Sequence, residues 1–315
     1  MMSILELKKR LPKDFIDNLY ETYSPLTVDK ILSGMLGERS TTLRANNIKT
    51  TIQELMKILK ENNIKFERVE WYKDALVIKN AKEKQIQSLE AYKKGLLYLQ
   101  SLSSMIPPII LDPKPGEKVL DLTSAPGSKT TQIASMMENE GYILANELDK
   151  LRCERLKYNI EIQGAKIVEV INQRGEKVGE NYKEKFDKVL LDAPCSGEGR
   201  FLGNNVATYR NWSIRNVAQL AKLQKKLLKS AYEALKVNGI MVYSTCTLNK
   251  EENEKVLDWA INNLNLKLID INIDIKGKMQ GFNENLDKSI KKAIRILPTK
   301  KEEGFFIAKL RKERN

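Results

Sequence analysis

No histidine occurs anywhere in the 315 residues. That absence removes Ser-His and Cys-His pairs, imidazole general bases and His-ligated metals, so the chemistry open to this chain runs on thiol, carboxylate and amine. Cysteine is scarce as well. Cys153, Cys195 and Cys246 are an odd number without short repeated spacing, which argues against a disulfide framework or a zinc site and fits a reducing compartment. No apolar run approaches the roughly 18 residues of a membrane span. The first ten residues already carry Glu6, Lys8, Lys9 and Arg10 rather than the apolar stretch of an export signal. A soluble, cytoplasmic, monomeric protein without a metal is expected.

Positive charge is in excess. The net charge is +13 and the isoelectric point about 9.4, a mild pointer to a polyanionic partner. Its distribution says more: residues 201–250 hold eight basic residues and one acidic residue, which is more than half of the excess. Arg200, Arg210, Arg215, Lys222, Lys225, Lys226 and Lys229 are relieved only by Glu233. A solvated helix face ordinarily mixes both signs, so a phosphate-facing surface is expected here, with a plain Lys-rich helix as the competing reading.

From residue 119 onward, apolar strand-like runs alternate with helical patterns. Strands are expected at 119–122, 142–145, 167–171, 189–191 and 240–244, and helices at 129–137 and 151–163. A long helix is expected to end near Lys236-Val237-Asn238-Gly239. Continuous apolar strands joined by helical crossovers mean a parallel sheet covered on both faces, with ligands beyond the carboxyl ends of the strands. Ser124 to Lys129, Glu147, Asp192 to Cys195 and Cys246 all fall at such ends. The first ninety residues read as a small α+β module, with helices at 14–23 and 51–61, an extended 42–46, and a hairpin across Tyr72-Lys73-Asp74. Residues 101–110, with Pro107 and Pro108, read as a lead into the larger domain. Residues 266–271 and 304–310 suggest a closing antiparallel pair.

Asp121-Leu122-Thr123-Ser124-Ala125-Pro126-Gly127-Ser128-Lys129 is a strand end, a small-residue turn and a helix start. A P-loop requires Gly directly before the Lys, where Ser128 stands. A dinucleotide fingerprint requires three spaced glycines, and only Gly127 is present. What remains is a loop for a nucleoside without phosphates, with Glu147 at the next strand end placed to accept both ribose hydroxyls. S-adenosylmethionine fits these terms.

In order along the chain, Thr42-Leu43-Arg44-Ala45-Asn46, the Ser124 to Gln132 motif, Leu144-Ala145-Asn146-Glu147, Asp192-Ala193-Pro194-Cys195-Ser196-Gly197-Glu198-Gly199, Tyr243-Ser244-Thr245-Cys246-Thr247-Leu248 and Gly304-Phe305-Phe306-Ile307-Ala308 resemble the RNA 5-methylcytosine methyltransferases of the RsmB/RsmF (Sun) family, the RsmF-like 16S rRNA enzymes above all. The resemblance runs from about residue 11 to 312. It implies a Rossmann-like methyltransferase sheet, mostly parallel with an antiparallel edge hairpin, over residues 91–315, preceded by an RNA-contacting module over 1–90. It implies Cys246 as the nucleophile at carbon 6 of cytidine, Cys195 as the group assisting release, Asp192 at the ring nitrogen, and Lys129 as an active-site ammonium favouring a thiolate.

The implied cofactor set is Thr123, Ser124, Ala125, Pro126, Gly127, Ser128, Lys129, Glu147, Arg152, Gln173 and Asp192. RNA contacts are expected from Arg44, Arg200, Arg210, Arg215, Lys225, Lys226 and Lys229. Gln173 stands where the family usually has aspartate, and Thr299 where it often has histidine. A tRNA target, a DNA cytosine methyltransferase using Cys195 as nucleophile, and a silent RNA-binding assembly factor are the competing functions.

Overall fold

Successive residues of a strand point to opposite faces, so the continuous apolar runs of the central strands give the sheet two apolar faces. The computed structural model describes residues 2–314. Strands β1 (Thr42–Ala45), β2 (Phe66–Val69), β3 (Tyr72–Ile78) and β4 (Leu97–Leu99) form a small antiparallel sheet in the order β2-β3-β1-β4. Strands β5 (Lys118–Asp121), β6 (Tyr142–Asn146), β7 (Val168–Ile171), β8 (Phe186–Asp192) and β9 (Leu235–Thr245) run parallel in the order β9-β8-β5-β6-β7. The larger sheet is completed by β10 (Leu266–Ile269), β11 (Met279–Gln280), β12 (Ile294–Ile296) and β13 (Phe305–Lys312). Here β13 lies antiparallel between β9 and β12 and also pairs with β10.

Val119, Ile143, Leu190 and Val242 face the helices Leu102–Leu111 and Ser128–Met136. Their neighbours Leu120, Leu144, Leu191 and Tyr243 face the helix Ile214–Ala234. This is the doubly wound sheet that the strand pattern predicts, with the antiparallel closing pair in place. No helix among the described residues is long and apolar enough to cross a membrane.

Local readings shift in four places. The hairpin turns at Glu70-Trp71, because Val69 pairs with Tyr72. The segment 235–239 is strand: the helix stops at Ala234, and β9 absorbs Asn238 (φ 64°) beside a register shift against β8. The segment around Pro107 and Pro108 is the buried helix Leu102–Leu111, with Ser101 capping its first turn by accepting from Ser104 N. Packing on the sheet outweighs the donors the two prolines lack. The helix Pro25–Met35 follows a start signal in which the Ser24 side chain accepts from Thr27 N and proline occupies the first turn.

The small sheet draws its last strand from beyond residue 90, and it has its own core around Leu43, Leu55, Leu76 and Leu97. The three N-terminal helices instead share a core with the later part of the chain. Phe15 packs on Phe201 and Trp212 at centroid distances of 5.0 and 5.7 Å.

One charged cluster ties these parts together. Arg295 on β12 is fully buried. Its Nε donates to Glu254 Oε1 at 2.8 Å, its Nη2 meets the other oxygen, and its Nη1 donates to Tyr23 Oη at 2.6 Å and Leu248 O at 2.9 Å. Phe282 and Phe306 flank the guanidinium. Removing one member of a buried pair strands the other charge, at about 3–5 kcal/mol. Glu254→Gln should therefore lower unfolding stability in urea by about 3 kcal/mol or more, and the double variant Glu254→Leu with Arg295→Met should recover most of that loss. A single-variant loss below about 1 kcal/mol, the range of exposed pairs, would contradict this account.

Candidate active site

The carboxyl ends of β5, β6, β8 and β9 open into one cavity of about 1470 Å³, larger than the 300–1,000 Å³ usual for one small ligand. On the β5 side, Gly127 has φ 103° and caps the helix Ser128–Met136, and a Cβ there would stand 3.0 Å from Leu156 Cδ1. Ser124 turns inward, its hydroxyl donating to the carbonyls of Asp121 and Asn146. Asn146 knots the neighbouring loops, donating to Leu122 O and accepting from Gln173 N. Asp121, fully buried under Thr130, is pushed up to about 7 by desolvation, so its part is structural.

Thr123, Ala125, Pro126 and Ser128 line the cavity. So does Glu147, buried at the end of β6, with Oε1 accepting from Asp149 N at 2.9 Å and Oε2 3.5 Å from Arg152. Arg152 also donates to Ala125 O at 2.7 Å, bracing the loop. Gln173, expected at the adenine, is not among the residues that line the cavity. Its side-chain oxygen faces Asn181, and the wall beside it is made by Arg174, Gly175 and Glu176.

On the β8 and β9 side, Asp192 Oδ2 lies 2.7 Å from Lys129 Nζ, and its Oδ1 accepts from Ser244 Oγ at 2.7 Å. Lys129 also donates to Ser104 and sits over the Phe305 ring. The Cys195 and Cys246 sulfurs are 3.3 Å apart and both reach the cavity. Each thiol sets the other. The hydrogen bond to Cys246 holds Cys195 protonated, its ionisation raised well above the usual range, while the same bond lowers that of Cys246. In this arrangement the Cys195 S–H donates to the Cys246 sulfur.

Buried carboxylates fix both thiol loops. Glu252 accepts from Ser196 N at 2.9 Å and Gln224 Nε2 at 3.0 Å, and also meets the Ser196 hydroxyl. Glu198, pushed up to about 7 by burial, accepts from Trp212 Nε1 and Asn249 Nδ2, both at 2.9 Å.

Arg44 is the clear correction among the expected RNA contacts. It is fully buried, donating to Gln100 Oε1 at 2.8 Å, Thr131 Oγ1 at 2.8 Å and Ser128 O at 3.1 Å, so it joins the small sheet to the cofactor-loop helix. Arg200 lies at the cavity itself. Arg210, Arg215, Lys226 and Lys229 are exposed, with Lys229 3.8 Å from Glu233. Lys225 is half-buried over the Trp259 ring. Sequence reasoning passed over Ser104, Glu252, Arg39 and Glu303, which reach the site through long-range packing. Only Glu252, beside the Cys246 motif, and Glu303, directly before the Gly304 motif, carried any local signal.

The donor set fits S-adenosylmethionine: a buried strand-end carboxylate for a ribose diol, a small-residue loop that lets backbone approach, and space left over for a second ligand. In class this is an S-adenosylmethionine-dependent methyltransferase. The family model for the 16S rRNA methyltransferase RsmB/F matches residues 108–311, and one for the RsmF/B-like ferredoxin-like domain matches residues 11–85. The chain belongs to the RsmB/F methyltransferase family.

A tRNA (cytosine(49)-C(5))-methyltransferase of Pyrococcus abyssi is 40% identical over 277 residues, 86% of this chain and 88% of that one. A ribosomal RNA small subunit methyltransferase F of Shewanella amazonensis is 34% identical over 309 residues, and the match spans 96% of this chain but 65% of the relative's length. The solved structure of a methyltransferase homolog protein from Pyrococcus horikoshii superposes with a TM-score of 0.80 at 34% identity, covering 96% of this chain and all of that one.

Two charge-assisted hydrogen bonds, at about 1.5–3 kcal/mol each, set the expectation for Glu147. Calorimetry on Glu147→Ala should show S-adenosylmethionine binding weakened by roughly 10-fold or more. An unchanged affinity would remove the ribose assignment.

Proposed function

We propose that this chain transfers a methyl group from S-adenosylmethionine to carbon 5 of a cytidine in RNA, through a covalent Cys246 adduct at carbon 6. The observation that carries the reading is the thiol pair 3.3 Å apart beside the Lys129–Asp192 ion pair, in the cavity that also holds the nucleoside loop. S-adenosylmethionine supplies an electrophilic methyl group on sulfonium sulfur, and the chain's own residues make carbon 5 nucleophilic enough to accept it.

The Cys246 thiolate adds to carbon 6, and the displaced electron pair is taken up at ring nitrogen 3, which receives a proton from the Lys129–Asp192 pair. Once Cys246 is bonded to carbon it no longer bears the charge that held Cys195 protonated, so Cys195 can release its proton to solvent and become a base. Cys195 then removes the proton from carbon 5 of the methylated ring. The carbon 5–carbon 6 double bond re-forms, the Cys246–carbon 6 bond breaks to return the thiolate, and the proton on nitrogen 3 goes back to the pair.

Arg39, Ser40, Thr42 and Glu83 of the N-terminal module line the cavity wall, which supports RNA contact by that module. Leu223 and Leu227 of the helix Ile214–Ala234 also line the cavity, so Lys222 and Lys226, one residue before each, flank its rim. That position supports a phosphate track along the helix. For the target, the motif order points to 16S rRNA. The second reading is tRNA, favoured by the higher identity to the tRNA enzyme, 40% against 34%.

Labelled methyl transfer to rRNA, tRNA and DNA, followed by bisulfite mapping, separates these readings. Cys246→Ala should be inactive, and Cys195→Ala should accumulate a protein–RNA adduct that survives denaturant. An active Cys246→Ala variant, or transfer to DNA alone, would sink the proposal. Reversing Lys222, Lys226 and Lys229 to Glu should weaken RNA binding and flatten the dependence of log K on log salt by roughly one unit per lost phosphate contact. Unchanged binding would make that helix face a plain solvated one.

A further inference from the structure

Lys129, the ammonium expected to favour a thiolate, is committed elsewhere: it pairs with Asp192 at 2.7 Å and donates to Ser104 at 2.7 Å. A different cation stands at the nucleophile. The short 3-10 turn Glu198–Arg200 is wedged between the Cys246 loop and the segment that leads into β13. Gly199 N donates to Cys246 O at 2.9 Å, and Gly304 N donates to Gly199 O at 2.9 Å. The contact is bare backbone, since a Cβ on Gly199 would stand 2.0 Å from Gly304 O.

Arg200 therefore begins one residue from a direct bond to Cys246. Its guanidinium folds back over Gly197, with Nη2 2.9 Å from where a Cβ on that residue would be, and its side chain lines the cavity shared by both thiols. From the segment after the helix Pro25–Met35, Arg39 clamps the same turn. Its Nη2 donates to Gly199 O at 2.9 Å and its Nη1 to Arg200 O at 3.3 Å.

We propose that Arg200, held in place by Arg39, is the positioning residue that keeps the Cys246 sulfur anionic and ready to attack. The proposal rests on Cys246 being the nucleophile. The groups facing that sulfur are the Cys195 thiol, hydrogen-bonded to it, the Arg200 guanidinium, the Asp192 and Glu303 carboxylates, and Arg39, whose charge also interacts with it. After the Cys195 hydrogen bond, Arg200 is the group that favours the thiolate, while burial, Asp192 and Glu303 oppose it. The influence is mutual, because the charge of Cys246 is the leading reason Arg200 is held more firmly protonated than usual. Asp192 also has Lys129 beside it, which partly offsets its field. The N-terminal segment thus reaches the reacting sulfur through two arginines in series, neither of which has to touch RNA for the effect to operate.

The test uses the free full-length chain, without cofactor or RNA, at low salt so that screening at the cavity mouth stays small. Iodoacetamide alkylation of Cys246 is followed by peptide mass spectrometry from pH 6 to pH 10 in wild type, Arg200→Gln, Arg200→Lys and Arg39→Met. The expected result is an alkylation midpoint raised by about one pH unit in Arg200→Gln, with a roughly tenfold slower reaction at pH 7. Arg200→Lys should restore most of that rate, and Arg39→Met should shift the midpoint in the same direction by less. Single-turnover methylation should show its alkaline-side recovery in Arg200→Gln, with RNA affinity changed less than twofold.

An unchanged midpoint together with weakened, salt-insensitive RNA binding would overturn the proposal and leave Arg200 a phosphate contact. If Arg200→Gln fails to fold, Arg39→Met carries the comparison, and an unmoved midpoint in that variant also overturns the proposal. A nucleophilic Cys246 with an unmoved midpoint removes this inference alone, whereas an active Cys246→Ala enzyme removes the reading beneath it.

Discussion

The buried pair of Arg295 and Glu254 is the constraint on which the catalytic edge depends. Neither group is accessible to solvent, so each requires the other, and the guanidinium's remaining donors are used on Tyr23 and on the carbonyl of Leu248, two residues past Cys246. Tyr23 caps the C-terminus of the N-terminal helix Lys13–Thr22 and donates to the same carbonyl. One side chain on β12 therefore fixes the loop of the proposed nucleophile, the helix that follows it and the N-terminal helices at once. A buried ion pair is weak evidence of net stability, since an apolar replacement of both partners is often as stable. Its effect here is specificity of arrangement: the loop has one place to go.

Within that frame the two thiols divide their work by electrostatics. In the free protein they share a hydrogen bond that holds Cys195 protonated and lowers the pKa of Cys246, favouring its thiolate. Addition to a ring carbon would remove the charge that enforces this division, and the base would be released when it is needed. The chain has no histidine, and in the proposed mechanism the base is a second sulfur 3.3 Å away.

Much of this was legible in the sequence, for physical reasons. The strand ends at Asp121, Glu147, Asp192 and Cys246 could be read because doubly covered parallel strands are continuous apolar runs with polar residues at their carboxyl termini. The sequence reading went wrong where tertiary contacts overrode local pattern. Arg44 looked like an exposed basic residue in a signature motif, but long-range partners at Gln100, Ser128 and Thr131 let it be buried. Residues 235–239 look like a helix end because Asn and Gly stand there, but Leu235 pairs with Phe186 of β8 and the strand from Ile240 onward pairs with both β8 and β13, which draws the region into a strand. Arg39 and Arg295 gave no signal, since what they hold lies more than forty residues away in the chain and only the folded form brings it near.

The bare backbone contact between Gly199 and Gly304 bears on how this site can change over generations. A thiol can become a hydroxyl, or an arginine a lysine, and the loops keep their path while the chemistry fades by degrees. A methyl group on Gly199 would meet the Gly304 carbonyl at 2.0 Å, and one on Gly304 would meet the Gly199 Cα and Leu248 Cδ2 at 2.8 Å. Either would push apart the two segments that hold Cys246 in register. Among the least substitutable positions of the site are therefore two residues with no functional groups, whose contribution is the space they leave empty.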